Sequence, residues 1–215
     1  MRLKEKYVIF VSGLLLASFG IALSAKAGLG TSPISAVPYT LSRVFSEISF
    51  GNWLNLFSSI QLTVQAIILR KEMTFLKFLM QIIVAFGIGK LTDLSGLILK
   101  WWTLHTYAEQ FLCMLSGCFV LGLGIWMLLK TEIVTLPGES MNHAISIVWN
   151  KNYADVKIIF DICYITVAAL LSMCFLKRLE GVREGSLIAA VAIGNIIKVY
   201  ENVYKKICSK RCRNI

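Results

Sequence analysis

Apolar and polar residues are arranged along this chain in long blocks, without the short periods of a soluble domain. Six apolar runs stand out, at roughly 7–25, 51–69, 78–99, 109–129, 158–176 and 185–203. Each approaches the ~20 residues that a helix rising 1.5 Å per residue needs to cross ~30 Å of hydrocarbon. The pattern therefore predicts six transmembrane helices. Two stretches between the runs are too polar for good spans and too apolar for loops. One opens as Ala27-Gly28-Leu29-Gly30-Thr31-Ser32-Pro33 and continues to Phe45. The other runs from Thr131 to Trp149 and contains Thr135-Leu136-Pro137-Gly138-Glu139-Ser140. Both read as short helices entered through a Pro/Gly break, and pattern alone leaves them re-entrant, interfacial or spanning.

Composition supports a membrane reading. Of 215 residues, 57% are hydrophobic and 16% charged, with a mean hydropathy of +0.71; a soluble domain carries about 25% charged residues. Six spans fill a chain of this length, so residues 1–215 form a single membrane domain with a basic tail from about 204. The net charge of +10 sits largely at the ends, in Arg2, Lys4 and Lys6 and in Lys205, Lys206, Lys210, Arg211 and Arg213. Basic flanks of spans set orientation and touch anionic lipid, so no nucleic-acid partner is expected. If neither interrupted segment crosses, about 14 of the 22 basic residues share the side of the N-terminus and about 6 lie opposite. The positive-inside rule then puts both termini in the cytoplasm. The first apolar run follows Lys6 directly and lacks a small-residue cleavage site, so it reads as a span and not as a cleaved signal.

Cysteines add no scaffold. Cys113, Cys118, Cys163 and Cys174 lie in apolar runs, where Cys behaves as a small hydrophobe. Cys208 and Cys212 stand in the tail without further Cys or His to complete a zinc site. No metal or cofactor is expected.

Laying residue n over n+104 brings out an internal repeat. Gly13 falls on Gly117, Gly20 on Gly124, Ile21 on Ile125, Lys26 on Lys130, Thr31 on Thr135, Pro33 on Pro137 and Ser42 on Ser146. Further on the offset grows by one, so that Ala85 and Gly89 fall on Ala190 and Gly194, and Lys90 on Asn195. The units, about 7–100 and 109–203, hold three spans each. An odd number of spans forces the second unit to insert upside down, and paired interrupted segments in inverted halves are a pointer to a transport site. The expected fold is thus an all-α polytopic membrane protein of two inverted three-helix repeats, each with an interrupted segment.

The run Gly20-Ile21-Ala22 to Lys26-Ala27-Gly28-Leu29-Gly30-Thr31-Ser32-Pro33, followed by Phe50-Gly51-Asn52-Trp53, resembles the N-terminal signature of the YczE/YyaS/YitT-like bacterial integral membrane proteins. Gly181-Val182-Arg183-Glu184-Gly185-Ser186 is similar to the opening of that family's last span, with Ser for Thr. The resemblance implies a multi-pass protein of the bacterial cytoplasmic membrane and little about activity. Gln81 departs from the Gly-Thr start that the family often has in its third span.

Ionisable groups inside a span cost ~2.5–3.5 kcal/mol each and therefore point to candidate chemistry. Lys90 and Asp93, one turn apart in the third run, read as a cavity-facing charge or as a pair closing a helix contact. Glu139 with His143, and Lys157 with Asp161, share helix faces at i,i+4 and read as a proton-linked cluster or as a solvated vestibule. Thr31, Ser32 and Pro33 look like a helix start whose N–H groups could receive an anion. Gln61 marks a polar face of the second run, and Asn195 is the neutral mirror of Lys90. These eleven residues are the expected solute-binding set, with Lys90 as its positive charge.

No H-E-x-x-H, Walker loop or G-x-S-x-G is present, and the only histidines are His105 and His143. An enzyme is not expected. The reading is a secondary transporter or permease for a small anionic or zwitterionic solute. A substrate-capture subunit of an ATPase-driven importer and a non-transporting regulatory membrane protein are the alternatives. The expected partners are the lipid bilayer and an unidentified solute, and a homo-oligomer stays open.

Overall fold

A computed structural model describes residues 3–69 and 75–213. The connection containing Met73, which the orientation above places on the cytoplasmic side, and the side chains of Cys208 and Cys212 lie outside the described residues. Eight helices follow in order: α1 (Leu3–Ala27), α2 (Pro33–Val44), α3 (Phe50–Leu69), α4 (Phe75–Leu99), α5 (Tyr107–Thr131), α6 (Pro137–Val148), α7 (Tyr153–Leu171, prolonged by a π-helical turn, Ser172–Leu176) and α8 (Glu184–Arg213). The described residues contain no strand.

Among the described residues, five helices are long and apolar enough to cross a membrane: Lys4–Ala27, Phe75–Leu99, Tyr107–Thr131, Asp155–Leu176 and Glu184–Lys206. The chain is a multi-pass, all-helical membrane protein. The sixth expected span, α3, is not among these five. This helix has 20 residues, but Asn52, Asn55, Gln61 and Gln65 dilute its apolar character. Asn55, Gln61 and Gln65 are buried in the protein, so packing, and not lipid, accommodates them. Elsewhere the surface is apolar: Ile83, Phe86, Leu94 and Leu97 of α4 and Ile158, Ile159 and Ile162 of α7 point outward, the reverse of a soluble fold.

Local chemistry sets the helix ends. Gly28 takes a positive φ of 71° just past α1, a conformation that costs a side chain and suits glycine. Pro33 and Pro137 open α2 and α6 in the first helical turn, where a missing N–H costs nothing. Thr106 and Glu109 form a capping box at the start of α5. α2 and α6 have 12 residues each, about 18 Å at helical rise, so neither can span a bilayer.

The core centres on α1 and α5. A Cβ on Gly20 would run into the Leu121 backbone, and one on Gly124 into that of Ala17. Bare backbone at these positions lets the helices approach closely. Gly13 faces Gly124 and Met127 while Ser24 faces Gly117, so the two run antiparallel. α4 flanks α1, and α8 flanks α5. The first turns of α2 and α6 meet in the interior, with the Ile34 side chain over the bare Cα of Gly138.

Candidate functional site

One end of the molecule is sewn shut. The Thr31 N–H donates to the Gly181 carbonyl at 3.3 Å and the Gly185 N–H to that of Leu29 at 2.9 Å. The Thr40 hydroxyl donates to the Glu180 carbonyl at 3.3 Å, and Arg43 pairs with the Glu180 carboxylate at 3.1 Å. At the same end α4 closes on α3. The Asp93 carboxylate accepts from the Gly51 N–H at 2.7 Å and from the Ser49 hydroxyl at 2.6 Å. A methyl on Gly89 would collide with Asn55 and the Gly51 carbonyl.

The other end is open. α7 and α8 are not packed against each other among the described residues, and a methyl on Gly194 would meet nothing within 4 Å. A cavity of about 900 Å³ lies there, at the end where α3 and α5 finish and α4 and α7 begin. This is large enough for a metabolite-sized ligand.

A linked group of charges in the cavity comes from α6 and α7, which pack together. The helical period sets Glu139 above His143 on α6 and Lys157 above Asp161 on α7. Lys157 bridges both carboxylates, at 3.0 Å from Glu139 and 3.6 Å from Asp161. The Tyr153 hydroxyl donates to the second oxygen of Glu139, and the His143 ring lies 6.2 Å from the Tyr153 ring. Burial first, and then the Glu139 carboxylate, push the Tyr153 hydroxyl above its ordinary pKa, so it stays a donor. From α4, the Gln81 carboxamide donates to the Ser140 hydroxyl at 2.8 Å, which also pairs with Thr135. Lys77 and Lys198 bring further ammonium groups to the lining.

Five of the eleven expected residues thus come together here: Glu139, His143, Lys157, Asp161 and Asn195 line one cavity. Six lie elsewhere. Thr31, Ser32 and Pro33 belong to the sealed end, where the Thr31 N–H is bonded to Gly181 and the Ser32 and Ser35 hydroxyls pair at 2.7 Å. Gln61 is buried and donates to the Tyr164 hydroxyl at 3.2 Å. Asp93 holds the start of α3. Lys90 does not line the cavity. It stands on the outward apolar stripe of α4, and its ammonium reaches the Asn52 carboxamide oxygen at 3.0 Å. Helical phase decides this: Phe86, Lys90 and Leu94 are spaced by four and share one outward face.

A profile described as "Family of unknown function (DUF6198)" matches residues 4–202. The chain belongs to this family. It is also 33% identical over 133 residues to the "Uncharacterized protein YyaS" of Bacillus subtilis (strain 168), a match covering 61% of this chain and 64% of that protein. The chain thus aligns with less than two thirds of that relative's length. No solved structure matches. The YyaS-like resemblance read from the motifs therefore holds.

In this DUF6198 chain, sequence reasoning missed Tyr153, Lys77 and Lys198. Tyr153 carries no signal, since its partner Glu139 is on another helix. Lys198 does carry one, being an ionisable group inside an apolar run.

Proposed function

We propose that this DUF6198 protein is a secondary carrier of inverted-repeat architecture, with its cavity open to the cytoplasm, for a small zwitterionic or anionic solute. The observation that carries the reading is the one-sided access: a largely apolar cavity holding a cluster of charged side chains, open between α7 and α8, in a molecule whose opposite end is sealed.

Several features support two inverted halves. α1 and α5 start 104 positions apart, as do α2 and α6, with matching lengths within each pair. α1 and α5 are antiparallel, and their contacts exchange under the offset. Gly13 touches Gly124, the equivalent of Gly20, and Gly20 touches Gly117, the equivalent of Gly13. Such swapped contacts are the mark of a two-fold axis. Ile34 against Gly138 is likewise an equivalent pair, meeting on that axis. An axis crossing antiparallel spans at right angles lies in the membrane plane. In inverted-repeat carriers the site lies at the repeat interface, and access alternates between faces.

The cavity chemistry supports the solute class. Lys77, Lys157, Lys198 and His143 offer positive charge or donors, Glu139 and Asp161 offer acceptors, and Ile125, Leu129 and Val191 supply an apolar wall. Both poles of a zwitterion find partners. Orientation follows from the basic flanks, which put the open end with the N-terminus in the cytoplasm.

The test is thermal unfolding of the purified protein against amino acids, organic anions and organic cations. A solute of the proposed class at 100 times its dissociation constant should add about 2.7 kcal/mol. Asp161→Asn and Asn195→Leu should abolish that shift, and Lys90→Gln, outside the cavity, should keep it. Absence of stabilisation by every class, or a shift that survives both cavity substitutions, rejects the reading.

A further inference from the structure

The sealed half contains a template for closing the open half. This inference rests on the carrier reading and assigns the residues that gate its cavity. At the sealed end α4 docks on the first turn of α3 through three contacts: Gly89 against Gly51 and Asn55, Lys90 to Asn52 at 3.0 Å, and Asp93 to Ser49 and the Gly51 N–H. Carrying these positions into the second half uses the helix starts Phe50 and Tyr153 and the Ala-x-x-x-Gly pattern of α4 and α8. Asn52 then corresponds to Asp155, Gly89 to Gly194, Lys90 to Asn195 and Asp93 to Lys198.

The second set is apart in this structure. Gly194 has open space before it, Asn195 and Lys198 line the cavity, and Asp155 is exposed on the first turn of α7. Yet the residues remain complementary, with their roles exchanged across the contact. The first half places its acid and base on α4 and a carboxamide on α3. The second places its base and a carboxamide on α8 and its acid on α7. A carboxylate at 155 accepts from the Asn195 carboxamide as Asn52 accepts from Lys90, and one turn away Lys198 supplies the opposite charge. Gly194 keeps the bare surface that close approach of two helices requires.

We infer that this protein has a second conformation in which α8 closes on α7, with Gly194 seated on the first turns of α7 and Asp155 held by Asn195 and Lys198. Closure of this contact seals the cavity mouth, and the α3–α4 contact is its counterpart at the other end.

The experiment uses the full chain in liposomes, with Cys163, Cys174, Cys208 and Cys212 replaced by Ser and buried Cys113 and Cys118 retained. Three cysteine pairs are oxidised with copper phenanthroline: Asp155→Cys with Asn195→Cys, Asp155→Cys with Val191→Cys one turn away, and Asn52→Cys with Lys90→Cys. Remaining thiols are counted by maleimide-polymer gel shift after denaturation. The 155/195 pair should lose both thiols at least ten times faster than the 155/191 pair, and the 52/90 pair should bond as the folded reference. A 155/195 pair that stays reduced while 52/90 bonds, or that bonds no faster than 155/191, overturns the inference. The two readings fail separately. Solute stabilisation without 155/195 bonding removes the gate and keeps the carrier, whereas 155/195 bonding in a protein that no solute stabilises keeps the gate and removes the carrier.

Discussion

Two glycines that look alike in sequence stand in opposite surroundings. Gly89 and Gly194 each follow an alanine by four positions, but Gly89 is pressed against Gly51 and Asn55 while Gly194 faces space. Gly89→Ala should therefore cost about 1–3 kcal/mol through overpacking. Gly194→Ala should stay within about 0.5 kcal/mol, as exposed substitutions do. Thermal unfolding in detergent measures both, and equal costs would contradict the asymmetry of the two ends. Lys90 teaches the same lesson in reverse. Its position in an apolar run singled it out correctly as an unusual residue, but its neighbours Phe86 and Leu94 turn outward. Its ammonium is accommodated by Asn52.

Among the helices, α3 and the α6–α7 pair depart most from what composition suggests. α3 is too polar to count as a span by composition, yet its polar side chains are covered by protein, with Asn55 against Gly89 of α4 and Gln61 bonded to Tyr164 of α7. On α6 and α7, Glu139, Tyr153, Lys157 and Asp161 form one linked group. Tyr153→Phe should cost about 1.5–3 kcal/mol at neutral pH, the range for a hydrogen bond to a charged group. It should also change the alkaline limb of stability. The folded-state pKa of Tyr153 is raised by burial and by Glu139. Its contribution is therefore full below the ordinary tyrosine value of about 10 and is lost as pH rises above it toward the folded value. Unfolding midpoints of wild type and Tyr153→Phe should run parallel up to about pH 10 and converge beyond it; curves that stay parallel into strong alkali would remove Tyr153 from the linkage.

For the molecule as a whole, orientation in the membrane is the quantity that turns a cavity into an access route. The proposed orientation, argued from the basic flanks, puts the α2–α3 turn outside and the α6–α7 turn inside. In intact cells, Ser46→Cys should react with an impermeant maleimide and Asn150→Cys should not, both in a background without other exposed cysteines. The reverse pattern would turn the open cavity to the cell exterior.

Amino-acid order alone established a polytopic helical protein, the two Pro-initiated segments and the correspondence at 104 residues. These rest on local properties: run length, Pro and Gly placement, and identity at a fixed offset. It also put Glu139, His143, Lys157 and Asp161 on paired helix faces, because i,i+4 spacing is visible along one chain. Which candidates share a cavity was settled only in three dimensions. That choice depends on helix phase and on which neighbours pack, and these follow from contacts between residues far apart in the chain. The same is true of the asymmetry. Gly89 and Gly194 share the same Ala-x-x-x-Gly pattern, but α3 lies closed on α4 while α7 stands away from α8, a difference in packing that no single residue type encodes.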